Sequence, residues 1–344
     1  MRNTAFCVLA IALVLSGCDR QNASPEIEKP PVLYGREKLM DTEVSIQAVA
    51  PEGIDRKDLG AAIQAAFDRI REIEQVCSAY IPASDVCRIN KAAGEERVEV
   101  DAVTFDIVRK AVDIAEKTGG AFDITIGPLV ELWEKVAGEA GIAQSPPTSD
   151  EIAAALKLVG CRDINKLELT QEDGGRYIHL KKQGMRIDLG GIAKGYAVDE
   201  AIKVLREYGI KDAIVEAGGD VCAIGQYPKM GCWQVGARHY AGLNRIFDRW
   251  ELKDEAVATS SDYERGYIFG GKRHSHIVDP RSGQALTELT SISVFAPDCA
   301  TADALATAVC VAGCDSRREI LQKFPGSKFV QVNRSPGIPF APAR

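Results

Sequence analysis

The sequence predicts an α+β fold, with mixed or antiparallel sheets flanked by helices. Strand-like and helix-like segments follow one another without the regular alternation that builds a doubly wound parallel sheet. No segment repeats at a solenoid period. The 344 residues, 46% of them hydrophobic, suffice for a sizeable core in one large domain or two. A net charge of -7, four scattered histidines and no long basic block exclude a nucleic-acid-binding surface. The same acidic balance argues against adhesion of the folded part to an anionic membrane.

The N-terminus reads as an export signal. Arg2 precedes an apolar run from Ala5 to Leu15, too short to cross a bilayer as a helix, and Leu15-Ser-Gly-Cys18 follows. That tetrapeptide resembles the bacterial lipobox, which implies cleavage before Cys18 and lipid on its thiol. Asp19 resembles an inner-membrane retention signal. The expected organisation is a signal peptide over residues 1–17, a polar, proline-bearing tether over 18–31 and one domain over 32–344. Lipid anchoring at Cys18 then places that domain on the periplasmic face of the inner membrane. Of ten cysteines, eight remain after Cys7 and Cys18. An oxidising compartment permits disulfides, and Cys222 and Cys232 flank an expected hairpin across which they could pair. Cys310 and Cys314 sit one helical turn apart and read as small buried hydrophobes.

In order along the domain, Val32 to Ala50 reads as one or two strands, with Leu39-Met-Asp-Thr42 at the centre. Ile63, Ala66, Phe67, Ile70 and Ile73 form the apolar face of a helix over 58–79. A second helix spans 101–117, closed by Gly119-Gly120. Thr148-Ser-Asp-Glu151 has capping-box spacing and opens another helix, expected to end near Gly160. Residues 164–188 suggest three short strands, and 212–225 with 233–237 suggest strands around a glycine turn. Asp298 is a natural N-cap for a helix reaching Gly313.

The densest segment is Asp188-Leu-Gly-Gly-Ile-Ala-Lys-Gly-Tyr-Ala-Val-Asp199. An apolar run ends in a carboxylate, two glycines follow, and a helix carrying Lys194 begins. Such a turn presents backbone N–H groups and the positive end of a helix dipole to an anion. It also fits a plain strand-to-helix turn. Asp303 and Thr307 are four apart, so on a helix they share a face as hard oxygen ligands suited to Mg2+. A solvated helix face is the alternative, though the surrounding Ala302, Ala304, Leu305 and Ala306 are apolar. His274 and His276 face one side if they lie on a strand. A histidine beside a phosphate could act as a base, or could simply cap a turn. Tyr80, Phe122 and Trp133 could stack on a flat ring, or belong to the core.

Taken together, these segments resemble the bacterial FAD:protein FMN transferase family, the ApbE family. The resemblance runs from about Leu33 to Gly313. It rests on the joint order of Met40-Asp-Thr42, Ser78-Ala-Tyr80, Gly120-Ala-Phe-Asp-Ile-Thr125, Asp188-Leu-Gly-Gly-Ile-Ala-Lys-Gly195, Glu216-Ala-Gly-Gly-Asp220, Ala258-Thr-Ser-Ser-Asp-Tyr-Glu-Arg265, His276-Ile-Val-Asp-Pro-Arg-Ser-Gly283 and Ala302-Asp-Ala-Leu-Ala-Thr307.

The resemblance implies an ApbE-like, T-fold-related architecture. It also implies Mg2+-dependent transfer of FMN from FAD to a Thr or Ser hydroxyl of an acceptor protein, with AMP released. Asp303, Thr307 and the Gly191 carbonyl would hold Mg2+. Met40, Tyr80, Ala121, Phe122, Asp123, Asp188, Lys194 and Ile277 would line the FAD site. His276, Asp188 and Lys194 would serve catalysis, with His276 as proton acceptor. Acceptors would be flavinylated subunits of membrane redox complexes. Three departures stand out: Asp41 follows Met40 where the family has Gly, Ser261 replaces a Gly, and Ala306 stands where some members carry a second acidic metal ligand. The alternatives are an Mg2+-dependent FAD diphosphatase, with water as nucleophile, and a non-catalytic periplasmic flavin-binding lipoprotein.

Overall fold

The computed structural model describes residues 30–137, 145–228, 230–238, 246–261, 266–269, 272–287 and 290–333. The export signal, Cys18 and most of the tether lie outside these residues, as do Asp262 to Arg265. The frame is a seven-stranded antiparallel sheet, built from β1 (Val32–Leu39), β2 (Thr42–Val49), β6 (Asp212–Ala217), β7 (Asp220–Ile224), β10 (Glu255–Ser261), β13 (Thr290–Ala296) and β14 (Lys328–Asn333), in that spatial order. Each strand neighbours the next in chain order. β1 and β2 are joined by Met40-Asp41, and β6 and β7 by Gly218-Gly219. All four turn residues have positive φ, the type I′ signature that matches the strand twist.

Helices cover one face of this sheet. They are α1 (Arg56–Cys77), α6 (Ala193–Glu207) and α7 (Cys299–Val311), and the largest hydrophobic cluster lies beneath them. α1 is amphipathic as its spacing predicts, burying Ile63, Ala66, Phe67, Ile70 and Ile73. α7 differs: nearly every side chain is buried, Asp303 among them, and its small residues let it pack closely against both α6 and strands β10 and β13. The opposite face carries a ribbon of β8 (Trp233–Arg238) and β9 (Ile246–Leu252), sealed by Trp233, Leu252, Val257 and Phe295.

The remaining elements complete the described chain. They are α2 (Asp85–Lys91), β3 (Val98–Glu99), α3 (Ala102–Lys117), a 3-10 turn at Ile124–Ile126, α4 (Gly127–Ala137), α5 (Ser149–Leu156), β4 (Leu167–Glu172), β5 (Gly175–Leu180), β11 (Gly266–Phe269), β12 (Lys272–Ser275) and α8 (Gly313–Gln322). The capping box at Thr148 is present, with Glu151 accepting the Thr148 N–H at 2.8 Å. Its helix ends at Leu156, earlier than expected.

Three expectations need correction, and one open alternative is decided. Residues 164–188 give two strands, not three, because 185–188 run extended without a ladder. β8 leaves the sheet to pair with β9, so no hairpin faces Cys222 against Cys232; the two are unbridged, Cys222 buried and Cys232 donating weakly to the Met230 carbonyl. His276 lies beyond the end of β12, so it does not share a strand face with His274. Trp133 is core, packed among Tyr267, Phe269 and His274, with its indole N–H donating to the Gly283 carbonyl at 3.0 Å.

Candidate active site

The segment entering α6 belongs to no strand ladder. Asn90 substitutes for a neighbouring strand: its side chain accepts the Ile187 N–H at 2.7 Å and donates to the Ile187 carbonyl at 3.0 Å. The Asp188 N–H donates to the Ile124 carbonyl at 2.7 Å. The Asp188 carboxylate then accepts the Gly190 N–H at 2.7 Å, which closes an Asx-type turn. α6 begins five residues later with no side-chain cap of its own, its N-cap being Ile192. The first-turn N–H of Gly195 instead donates 3.2 Å to Asp303 of α7. A carboxylate from one helix thus caps the N-terminus of another, where the dipole favours it.

Lys194 lies in that same first turn. Its ammonium is 2.7 Å from Asp220 and 3.3 Å from Asp303. Both carboxylates are nearly inaccessible, at 2% and 4% exposure, while the Lys194 side chain keeps 27%. Burial works against the Lys194 charge, but Asp220 and Asp303 outweigh it and raise its pKa. The Asp220 pKa is raised, by burial first and by the like charge of Asp303 second, with Lys194 opposing. With both ionised, the two buried carboxylates outnumber the one ammonium they share, an excess that a further cation would relieve.

Thr307 lies one turn beyond Asp303 on α7, and its hydroxyl is 3.1 Å from the Ser260 hydroxyl at the end of β10. A Cβ at Gly191 would come 3.6 Å from the Thr307 hydroxyl and 3.2 Å from the Phe122 ring. Gly191, Thr307 and Phe122 thus form one wall. An oxygen-only donor set beside excess buried negative charge fits a hard divalent cation. The described residues hold no cluster of three or more His, Cys, Asp or Glu side chains, so a hydroxyl and a backbone carbonyl would have to complete the set around Asp303.

The other predicted residues fall into two groups. Phe122 is buried against Gly191, and Met40 packs at the core edge with its N–H donating 2.8 Å to Glu74. Tyr80 is 87% exposed. Ala121 is fully buried, and Asp123 uses its carboxylate on the Thr125 hydroxyl and the Thr125 and Cys161 N–H groups, so both frame Phe122. Ile277 is buried, with its N–H donating to the Ser275 hydroxyl, and His276 is half-buried beside it. Three residues were missed. Asp220 and Ser260 lie within two of the quoted motifs but were given no role there, while Glu74 carries no local signal.

The ApbE family profile matches residues 40–330. The chain is 32% identical over 280 residues to an FAD:protein FMN transferase of Treponema pallidum, covering 78% of this chain and 76% of that protein. It is 31% identical to one of Vibrio cholerae, covering 91% and 88%. Among solved structures, the ApbE protein of Thermotoga maritima superposes with a TM-score of 0.73 at 35% identity, covering 87% of this chain and 93% of that one. The apo flavinyl transferase ApbE of Pseudomonas stutzeri gives 0.75 at 25% identity, covering 90% and 93%. With the family match spanning most of the chain and the fold shared along almost its whole length, this chain belongs to the ApbE family.

Proposed function

We propose that this chain transfers FMN from FAD to a Thr or Ser hydroxyl of an acceptor protein, releasing AMP, with Mg2+ as cofactor. The observation that carries the reading is the convergence of Lys194, Asp303 and the α6 N-terminus beside Thr307 and Gly191. Held by Asp303, Thr307 and the Gly191 carbonyl, Mg2+ would neutralise charge on the FAD diphosphate. Lys194 and the positive end of the α6 dipole stabilise charge developing on the transferred phosphoryl group. Phe122 and Tyr80 offer ring faces to the flavin, with Met40 beside them and Ala121, Asp123 and Ile277 as framework. Asp188 holds the glycine turn in shape. His276 takes the proton as the acceptor oxygen bonds to phosphorus and the bond to AMP breaks. Cys18, lipidated after signal removal, tethers the domain to the periplasmic face of the inner membrane, within reach of redox-complex subunits presenting the acceptor hydroxyl.

The test incubates the purified protein with FAD, Mg2+ and a Thr-bearing acceptor, and follows acceptor mass and AMP together. The expected result is an acceptor heavier by one FMN, with stoichiometric AMP. FMN released without acceptor labelling would identify a diphosphatase. FAD bound with no AMP formed would identify a carrier.

A further inference from the structure

Asp220 is the first residue of β7, fixed there by the Gly218-Gly219 turn. Its carboxylate is almost wholly buried, yet Oδ2 has no hydrogen-bond geometry to any donor among the described residues. What compensates its charge is the Lys194 ammonium at 2.7 Å. A buried carboxylate so thinly supported is unfavourable unless its partner stays in place. Lys194 has a second choice, because Asp303 lies 3.3 Å away and also holds the Gly195 N–H. If Asp303 were the sole counter-ion of Lys194, the ammonium would compete with any cation for the same carboxylate.

We propose that Asp220 is a positioning residue that draws the Lys194 ammonium to itself and so leaves Asp303 able to ligate a divalent cation. The inference rests on the metal role given to Asp303 above. With Asp220 in place, a cation can take up Asp303 while Lys194 keeps a full counter-charge. Without it, every cation bound must first displace an ion pair.

The test measures Mn2+ binding by electron paramagnetic resonance on the full-length protein without FAD, with near-UV circular dichroism confirming the fold of each variant. Asp220→Asn should weaken Mn2+ binding about tenfold or more, the size typical of residues that support metal ligands. Asp220→Glu, which keeps the charge, should recover most of it. In a Lys194→Met background, Asp220→Asn should change affinity by less than about threefold, because no ammonium remains to be held. Unchanged affinity in folded Asp220→Asn would overturn the proposal. An equally large loss in the Lys194→Met background would also overturn it, since Asp220 would then act on the cation directly. Asp303→Ala separates the two readings. If it abolishes binding while Asp220→Asn does not, only the positioning role fails. If it binds like the wild type, the metal role of Asp303 fails and takes the positioning role with it.

Discussion

Met40 has φ of 51°, a conformation that costs a non-glycine residue about 1–2 kcal/mol. Asp41 follows at 55°, and its short polar side chain tolerates that region better than most. The departure from the family's glycine therefore leaves the tight turn intact. The Glu74 carboxylate, which accepts the Met40 N–H, holds the strained residue. Glu74→Ala should raise KM for FAD more than it lowers kcat, with a stability loss of about 1 kcal/mol. Glu74→Gln keeps an acceptor and should restore KM in steady-state assays; a KM unmoved in both would remove Glu74 from the site. This contact shows what can be read from sequence at this scale. Asp303 and Thr307 were visible because helical spacing puts them together. Glu74, Asp220 and Ser260 were not, because each meets its partner only through the tertiary fold.

Between elements, α6 and α7 are locked twice. Glycine at 195 permits backbone contact: a Cβ there would overlap the Cys299 carbonyl. Asp199 of α6 accepts the Cys299 and Ala300 N–H groups at 2.7 and 2.9 Å, capping α7 from outside alongside its own N-cap Asp298. The caps at Thr148 and Asp298 were legible because each lies within three residues of the N–H it serves. The Asp199 cap was not, since it spans about a hundred residues of chain. Burial pushes Asp199 up to about 7, against the pull of its two donors. An unfolded Asp titrates near 3.9, so between about pH 4 and pH 7 the folded state binds the extra proton, and this residue's contribution to stability falls as pH rises. Urea unfolding at pH 5 and pH 8 should show that decline, and Asp199→Asn should flatten it. An identical pH slope in both proteins would show that Asp199 titrates normally.

For the molecule as a whole, the broad α+β reading held because antiparallel strands announce themselves through local turns such as Gly218-Gly219. The exit of β8 from the main sheet was illegible, because no strand was read where its partner β9 lies, and β9 covers the far face rather than extending the ladder. Trp233 anchors that covering ribbon, with its indole N–H on the Ile224 carbonyl at 3.0 Å. Trp233→Ala should cost about 3–5 kcal/mol in chemical denaturation. Mn2+ binding by the folded fraction should survive, since the ribbon lies across the sheet from α6 and α7. Between β2 and β6 the chain makes one long excursion, leaving at Val49 and returning at Asp212, and those two residues are paired neighbours. Lys194 rides on the excursion, whereas Asp220, Asp303 and Thr307 belong to strands and a helix that follow it. Closing so large a loop carries an entropic cost that contacts within the later half cannot repay in advance. Lys194 nevertheless lies near the end of that excursion, and α6 packs directly on β6 and β7, so the lysine can meet Asp220 before β2 and β6 pair; closing the excursion adds the cover of α1 over α6 rather than the charge cluster itself.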